Sequence, residues 1–386
     1  MKKKILFSCY GLGIGGIEKC LVNLLNAMPE NYDIDVLLMN PQYAFKKQIT
    51  RRVRFLETFD YVMNIEDTMN AVRSRKGLFK KLRMLLSYCL FRLRIKLRRD
   101  AWVAFKPLPE KYDVAIAYSH HDFSPYYVID KVKADKKVMW YHNGAYEHSG
   151  RRYERDKKYY EMFDRVVAVS TDCAKVLSEK FTFQDGQLVV LKNLCDADHV
   201  KEQASAVVPE SFSKEGFHIV TVGRLTPEKG ADLALEACKK LCDDGRNVCW
   251  HWVGDGNQMD AIRRKISEYG LTDRFILEGN QQNPYPFIRC ADVYVQPSYY
   301  EAYSTTITEA KVLCKPIVTT DVGGMRDQLI DGVNGLIVPV DAQAIVGAVA
   351  CLLVDGELRI RFTKQLQTEG FSSEKTLEAY EKTVFG

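Results

Sequence analysis

Apolar residues in this chain recur in short runs, each closed by glycine, proline or a small polar residue. The first, Lys3–Cys9 (KKILFSC), ends at a glycine-rich turn. Runs of similar length follow at Ile34–Met39, Val114–Ala117, Val138–Tyr141, Val166–Val169 and Leu188–Leu191. They are short, often β-branched and flanked by turn residues, which predicts buried strands. Between them, polar stretches with apolar positions three and four residues apart predict helices, the clearest from Ile17 to about Met28. A second series repeats the pattern: runs at His218–Val222, Val248–Val253, Phe275–Glu278, Ala291–Val295 and Ile317–Thr319. Helices are expected there at Ala231–Leu241, Met259–Tyr269, 341–353 and 373–386. Strand–helix alternation of this kind predicts an α/β fold of parallel sheets with crossover helices. Residues 196–216, polar and small, read as a linker between a first domain at 1–195 and a second at 217–370.

Composition adds limits. A chain of 386 residues is long enough for two or three domains, and 27% charged with 46% hydrophobic residues is an ordinary globular balance. The 11 cysteines form no C-x-x-C pair and several fall in apolar runs. They read as small buried hydrophobes in a reducing cytoplasm, not as a disulfide framework or a zinc site. The lysines at 2–4 resemble the start of a signal peptide. The apolar part stops at Gly11, so a buried first strand is expected instead. No apolar run is long enough to span a bilayer.

Charge changes the picture more. Lys and Arg exceed Asp and Glu by 13 over residues 1–195 (35 against 22), and fall short by 8 over 196–386 (20 against 28). The excess concentrates in residues 71–99, with 11 basic residues and no acid, among them Arg73, Arg75, Lys80, Arg92, Arg94, Arg98 and Arg99. Leucines and phenylalanines interleave with them. A basic amphipathic helix of this type points to an anionic membrane surface. The competing reading is a helix packed on its own domain with a solvated basic face. No nucleic-acid-binding module accompanies the segment, and nucleic acid is not expected as a partner.

Candidate chemistry collects at strand ends, where open α/β sheets bind ligands. Gly11–Gly16 spells an imperfect G-x-G-x-G-G turn ahead of a helix, a weak signal for anion binding. Ser119-His120-His121-Asp122 and His142-Asn143-Gly144 close two strands and offer histidines for ligand contact. Arg224 and Lys229 flank the turn after His218–Val222, a placement suited to a diphosphate. Glu301 and Glu309 lie eight residues apart across a strand-to-helix loop. Ionised carboxylates there accept several hydroxyl hydrogen bonds from a polyhydroxyl ligand. The alternative is a solvated helical glutamate and a first-turn glutamate facing the helix dipole. Gly323-Gly324 is a place where backbone amides could approach a ligand closely. The histidines lack a ligand set of metal-binding spacing.

In order, four blocks resemble the retaining GT-B glycosyltransferases of family 4: Gly15-Gly16-Ile17-Glu18; Val222-Gly223-Arg224-Leu225 with Glu228-Lys229-Gly230; Val253-Gly254-Asp255-Gly256; and the E-x7-E pair Glu301/Glu309, followed by Gly323-Gly324 and Asn334-Gly335. The similarity is strongest from 218 to 340 and weak from about 41 to 110. It implies two Rossmann-like domains facing across a cleft, with a closing helix, 371–386, crossing back to the first. It implies a nucleotide-diphosphate sugar donor, a UDP-sugar, and no metal. Transfer of a hexose or N-acetylhexosamine to a lipid-linked or surface-polysaccharide acceptor is the expected activity, in a cytoplasmic protein held peripherally on the membrane's inner face. By position, Arg224 and Lys229 would bind the diphosphate, Glu309 the ribose and Glu301 the donor sugar. Tyr303, Ser304 and Thr305 would line the same donor site. Gly15 and Gly16 would close over the phosphates, and His142 would approach the sugar. Ala302 departs from the family, where glycine commonly follows the first glutamate, and Cys195 stands where glycine is frequent. Two rival readings are a GT-B nucleotide-sugar epimerase and a non-catalytic nucleotide-sugar-binding partner of a transferase.

Overall fold

A computed structural model describes residues 2–13, 15–40, 44–56, 69, 72–73, 76–97 and 100–386. By contact density the chain forms two units. One comprises Met1–Val169, Cys173–Leu194 and Glu374–Gly386; the other, Ser170–Asp172 and Cys195–Ser373.

The first unit is built on β1 (Lys3–Cys9), β2 (Tyr32–Leu38), β3 (Arg54–Phe55), β4 (Lys111–Ala117), β5 (Lys133–Tyr141), β6 (Arg165–Ala168) and β7 (Leu188–Val190). They hydrogen-bond in the order β3-β2-β1-β4-β5-β6-β7, with parallel pairing throughout. Ile5, Leu6 and Phe7 of β1 and Val138, Met139 and Trp140 of β5 are fully buried, as expected of strands covered on both faces. The order reverses between β1 and β4. The turn at Gly11–Gly16 and the segment Ser119–Asp122 therefore leave the sheet at its switch point, where the crossovers diverge and open a crevice.

The second unit repeats the plan with β8 (Phe217–Val222), β9 (Val248–Val253), β10 (Phe275–Gly279), β11 (Val293–Gln296), β12 (Ile317–Thr320) and β13 (Leu336–Val338). Their order is β10-β9-β8-β11-β12-β13, again parallel. Trp250 and Trp252 anchor its core, and each indole N–H finds a partner: Thr221 Oγ1 at 3.1 Å and the Gly223 carbonyl at 2.9 Å. The reversal falls between β8 and β11, which places the loops bearing Arg224, Lys229 and Glu301 side by side.

Three stretches differ from the sequence reading. The presumed linker carries a helix, Ala197–Ala204, whose N-cap Asp196 accepts from the His199 amide. Ala197, Val200 and Ala204, three and four residues apart, are buried in the second unit's core. Small residues disguised a helical face. A helix at Gly356–Glu369, capped by Asp355, was not anticipated, because Phe362 and Leu366 are its only buried residues. The edge strands β3 and β13 are too short to leave a hydrophobic run.

The last residues pack in the first unit. The Tyr380 ring meets Trp140 edge-on at 5.4 Å and its hydroxyl donates to the Lys192 carbonyl. Phe385 packs on Tyr32, and Lys3 Nζ donates to the Phe385 carbonyl at 2.7 Å.

The basic segment forms the helix Leu78–Lys96. Residues 70, 71, 74, 75, 98 and 99, including Arg75, Arg98 and Arg99, lie outside the described residues. Only Met84 and Phe91 of the helix are buried. Phe91 stacks on Phe105 (5.4 Å) and meets Phe123 edge-on. Opposite this seam runs an exposed stripe, Phe79, Leu82, Leu86, Leu90, Leu93 and Leu97. At 3.6 residues per turn it lies about 140° round the helix from the seam. Lys81, Arg92 and Lys96 flank it on one side and Arg83 and Arg94 on the other. Self-packing and an unpartnered apolar face thus coexist on one helix.

Candidate active site

The switch point of the second unit is built from two loops in contact. Gly230 ends the turn Pro227–Lys229 at φ 70°, and a side chain there would also collide with the Pro297 carbonyl. Gly323, at φ 45°, comes equally close to the Glu301 carbonyl, and Gly324 to that of Ala302. Gly323-Gly324 therefore serves an approach of the chain to itself, locking the loop that bears Glu301.

Within this frame Lys229 Nζ lies 2.5 Å from Glu301 Oε1, with the lysine side chain 19% exposed and the glutamate 9%. The same carboxylate oxygen accepts from Ser298 Oγ (3.1 Å) and Gln296 Nε2 (3.4 Å). Gln296 in turn accepts from Tyr294 OH (2.7 Å) and Thr306 Oγ1 (3.0 Å). Burial pushes the Tyr294 phenol well above its usual range, and the charges of Glu309 and Glu301 both add to the push. Glu309 is the fifth residue of the helix Thr305–Val312 and is itself buried. Charges this far from water are found where a partner or a ligand offsets their desolvation.

Arg224 is mostly exposed and reaches Glu228 Oε1 at 3.2 Å. Burial opposes the Glu228 charge, but the Thr226 hydroxyl and the cations Arg224 and Lys229 outweigh it and hold the carboxyl below its usual pKa. Two cations and two carboxylates therefore meet around one turn. Ser304 caps the helix Thr305–Val312, its Oγ accepting from the Ile307 amide. Gln328 clamps that cap, accepting from the Ser304 amide (2.8 Å) and donating to its carbonyl (2.7 Å). Tyr303 precedes the cap and Thr305 opens the helix, both half-buried. Sequence reasoning missed Gln296, Ser298 and Gln328. Their uncharged side chains give no spacing signal, although Gln296 and Ser298 flank the strand end that drew attention to Glu301.

In the first unit Gly15 precedes the helix Gly16–Ala27 in an extended conformation. The Glu18 carboxylate lies against Gly15, where an added Cβ would strike it. The anion-accepting end of this helix thus carries the chain's own carboxylate, as in a capping box. His142 follows β5. Burial lowers its pKa to about 3, with a hydrogen bond to the Tyr118 backbone opposing and His121 adding to the fall. The ring is neutral at pH 7, and its buried Nε2 has no hydrogen-bond partner. With the other nitrogen committed to the backbone, Nε2 presents a lone pair to a hydroxyl. His120, beside it, is also held neutral by burial. Asp122 accepts from Ser119 Oγ (2.8 Å) and the Ser124 amide (2.8 Å), which ties it to the loop. Among the described residues no three His, Cys, Asp or Glu side chains cluster to hold a metal, and no helix is long and apolar enough to cross a membrane.

Two parallel-sheet units of this kind are shared by solved structures. Anabaena HepE, in a crystal structure with UDP and glucose, superposes with a TM-score of 0.74 at 17% identity, over 100% of both chains. The architecture is GT-B. A family model described as Glycosyltransferase Family 4 matches residues 14–199, and one described as Glycosyl transferases group 1 matches residues 205–368. The chain belongs to the GT-B glycosyltransferases of family 4. Alpha-D-kanosaminyltransferase of Streptomyces kanamyceticus is 32% identical over 173 residues, 44% of each chain. A Campylobacter jejuni enzyme, N-acetylgalactosamine-N,N'-diacetylbacillosaminyl-diphospho-undecaprenol 4-alpha-N-acetylgalactosaminyltransferase, is 24% identical over 218 residues, 56% of this chain and 58% of that one. The chain spans less than half the length of the first curated relatives it matches.

Proposed function

We propose that this chain transfers a hexose or N-acetylhexosamine from a UDP-sugar, with retention and without a metal, to a lipid-linked acceptor on an anionic membrane. The Lys229–Glu301 contact carries the reading, because it sets a half-buried ammonium against a buried carboxylate on the turn that also bears Arg224. Arg224 and Lys229 offset the charge that grows on the departing diphosphate, the task a metal performs elsewhere. Glu309 accepts the ribose hydroxyls. Glu301 orients Lys229 and accepts from the sugar. Neutral His142 is assigned a further sugar hydroxyl, and Gly15 and Gly16 are assigned the donor phosphates. A leaving diphosphate oxygen takes the acceptor's proton on the face from which it departs, which gives retention. HepE, solved with UDP and glucose, supports the donor class; the Campylobacter relative, named for a diphospho-undecaprenol substrate, supports the acceptor class. The exposed, cation-flanked stripe on Leu78–Lys96 supports peripheral attachment to the inner membrane face, with the protein on the cytoplasmic side.

The test is turnover of UDP-sugars with a polyprenyl-diphosphate-linked acceptor in EDTA, followed by NMR of the anomeric linkage. An α-linked product formed at an undiminished rate is expected. Loss of activity in EDTA, or an inverted linkage, overturns the corresponding part of the reading.

A further inference from the structure

A cavity of about 270 Å³ in the first unit lies outside the machinery described above. Its walls are of two kinds. Ile95, at the end of the basic helix, joins Trp102 and Phe123 to form an apolar side. Arg151, Arg152 and Arg155, from the helix Gly150–Tyr160, form a cationic side. The arginines are spaced to share one face of their helix. Arg155 is held flat by its neighbours, over the Tyr126 ring at 4.7 Å and the Trp102 ring at 5.4 Å. Its Nε and that of Arg152 are buried and, among the described residues, have no hydrogen-bond partner. The nearest acids are Asp156, 3.7 Å from Arg152 Nε and 3.9 Å from Arg155 Nε, and Asp100, 3.8 Å from Arg155 Nη1. Asp156 is already engaged by the hydroxyls of Tyr126 and Tyr146. A third carboxylate, Asp130, is held at the Trp102 wall by the indole N–H and the Tyr159 hydroxyl (2.7 Å each), so the cavity offers three guanidinium groups beside an apolar wall, with Asp156 and Asp130 already engaged.

We propose that this cavity binds the phosphate of a membrane-resident lipid acceptor, the arginines taking the phosphate oxygens and Ile95, Trp102 and Phe123 taking the first carbons of the tail. Guanidinium forks match phosphate geometry, and the apolar wall beside them gives the first carbons of a tail a place out of water. The inference rests on the membrane-acceptor reading and adds to it a position and a chemical class: an apolar chain joined directly to a phosphate or diphosphate.

Calorimetry on the full chain, with farnesyl diphosphate below its aggregation concentration, tests it. With UDP saturating the donor site, Arg151→Gln with Arg152→Gln is expected to weaken binding about tenfold or more. Farnesol, lacking the phosphate, and inorganic pyrophosphate, lacking the tail, should both bind more weakly than farnesyl diphosphate. Pyrophosphate binding equally well would mark a site for free phosphate and overturn the lipid assignment. Binding lost on adding UDP and kept in the arginine variant would move the ligand to the donor site and overturn the proposal. An unchanged melting temperature in the arginine variant shows that it folds; should it not fold, Arg151→Gln alone, on an exposed side chain, gives the same reading with a smaller change. Flotation of the arginine variant with phosphatidylglycerol vesicles separates the two ideas. Retained flotation with lost farnesyl diphosphate binding is the expected pattern. Lost flotation of the wild type would fail the membrane reading without touching the cavity.

Discussion

Glu309 is the residue at which the donor hypothesis is most exposed to test. Its carboxylate is buried in a helix, where an ordinary surface glutamate would be solvated. Replacing it with glutamine keeps the volume and removes the charge. UDP affinity is expected to fall about ten- to a hundredfold, the range of charge-assisted hydrogen bonds. Titration calorimetry checks this, and an unaltered affinity removes the ribose role. Lys229 and Glu301 call for a different experiment because each stabilises the other's charge. Lys229→Ala leaves Glu301 buried without its cation and is expected to cost about 3 kcal/mol of stability. Adding Glu301→Gln should recover most of that stability and none of the turnover. Chemical denaturation and a turnover assay on the single and double variants read the two effects separately. If stability is not recovered, the pair is not the unit described here. Arg224, Lys229, Glu301 and Glu309 were legible in the sequence because charges at strand ends are conspicuous. The amide and hydroxyl groups that orient them, Gln296, Ser298 and Gln328, were not. Gln328 acts on Ser304, 24 residues away, and Gln296 and Ser298 act within ten residues but carry no charge to mark them.

Among the elements, strands that are buried on both faces announced themselves as unbroken apolar runs, so eleven of the thirteen among the described residues were found, β5 only over its buried second half. The two missed are edge strands of two and three residues. The helix Ala197–Ala204 was lost for the opposite reason: alanine is as common in linkers as on tightly packed helical faces. The basic helix shows the limit of periodicity most clearly. Its sequence gives an amphipathic pattern, but only the fold reveals that the packed seam is narrow, Met84 and Phe91, and that the leucine stripe faces away from it. An exposed stripe can be changed without disturbing the core. Leu86→Glu with Leu90→Glu is therefore expected to abolish flotation with anionic vesicles and to leave the melting temperature within about 2 °C. A double variant that still floats rules out docking through this face. Raised salt should weaken wild-type binding, since the flanking cations contribute on the order of 1 kcal/mol each near an anionic surface.

At the scale of the whole molecule, buried histidines tie stability to pH. His142 is held at a pKa of about 3 by burial, and burial also lowers His120 and His218. In each case the fold favours the neutral ring, while the unfolded chain takes up a proton near pH 6.5. Stability therefore rises with pH wherever the unfolded state binds more protons, and it is lost as pH falls below 6.5. Between pH 7.5 and 5.5 a histidine whose folded pKa lies below 5 contributes a loss of about 1.4 kcal/mol. Asp122 acts in the opposite sense. Burial raises its pKa, so the folded state takes up that proton ahead of the unfolded one, and the compensation sets in as pH falls through the folded pKa and is complete near the unfolded value of about 4. His120 and His142 belong to one unit and His218 to the other, so both units should weaken on mild acidification. Denaturant unfolding at pH 7.5, 6.5 and 5.5 is the measurement, read with one probe per unit because two units need not unfold together. The histidine substitution His142→Asn should flatten the first unit's slope by about one histidine's share and leave the second unit's slope unchanged. A pH-independent first unit would mean that these rings are protonated inside the fold, and with that Nε2 of His142 could no longer accept a sugar hydroxyl.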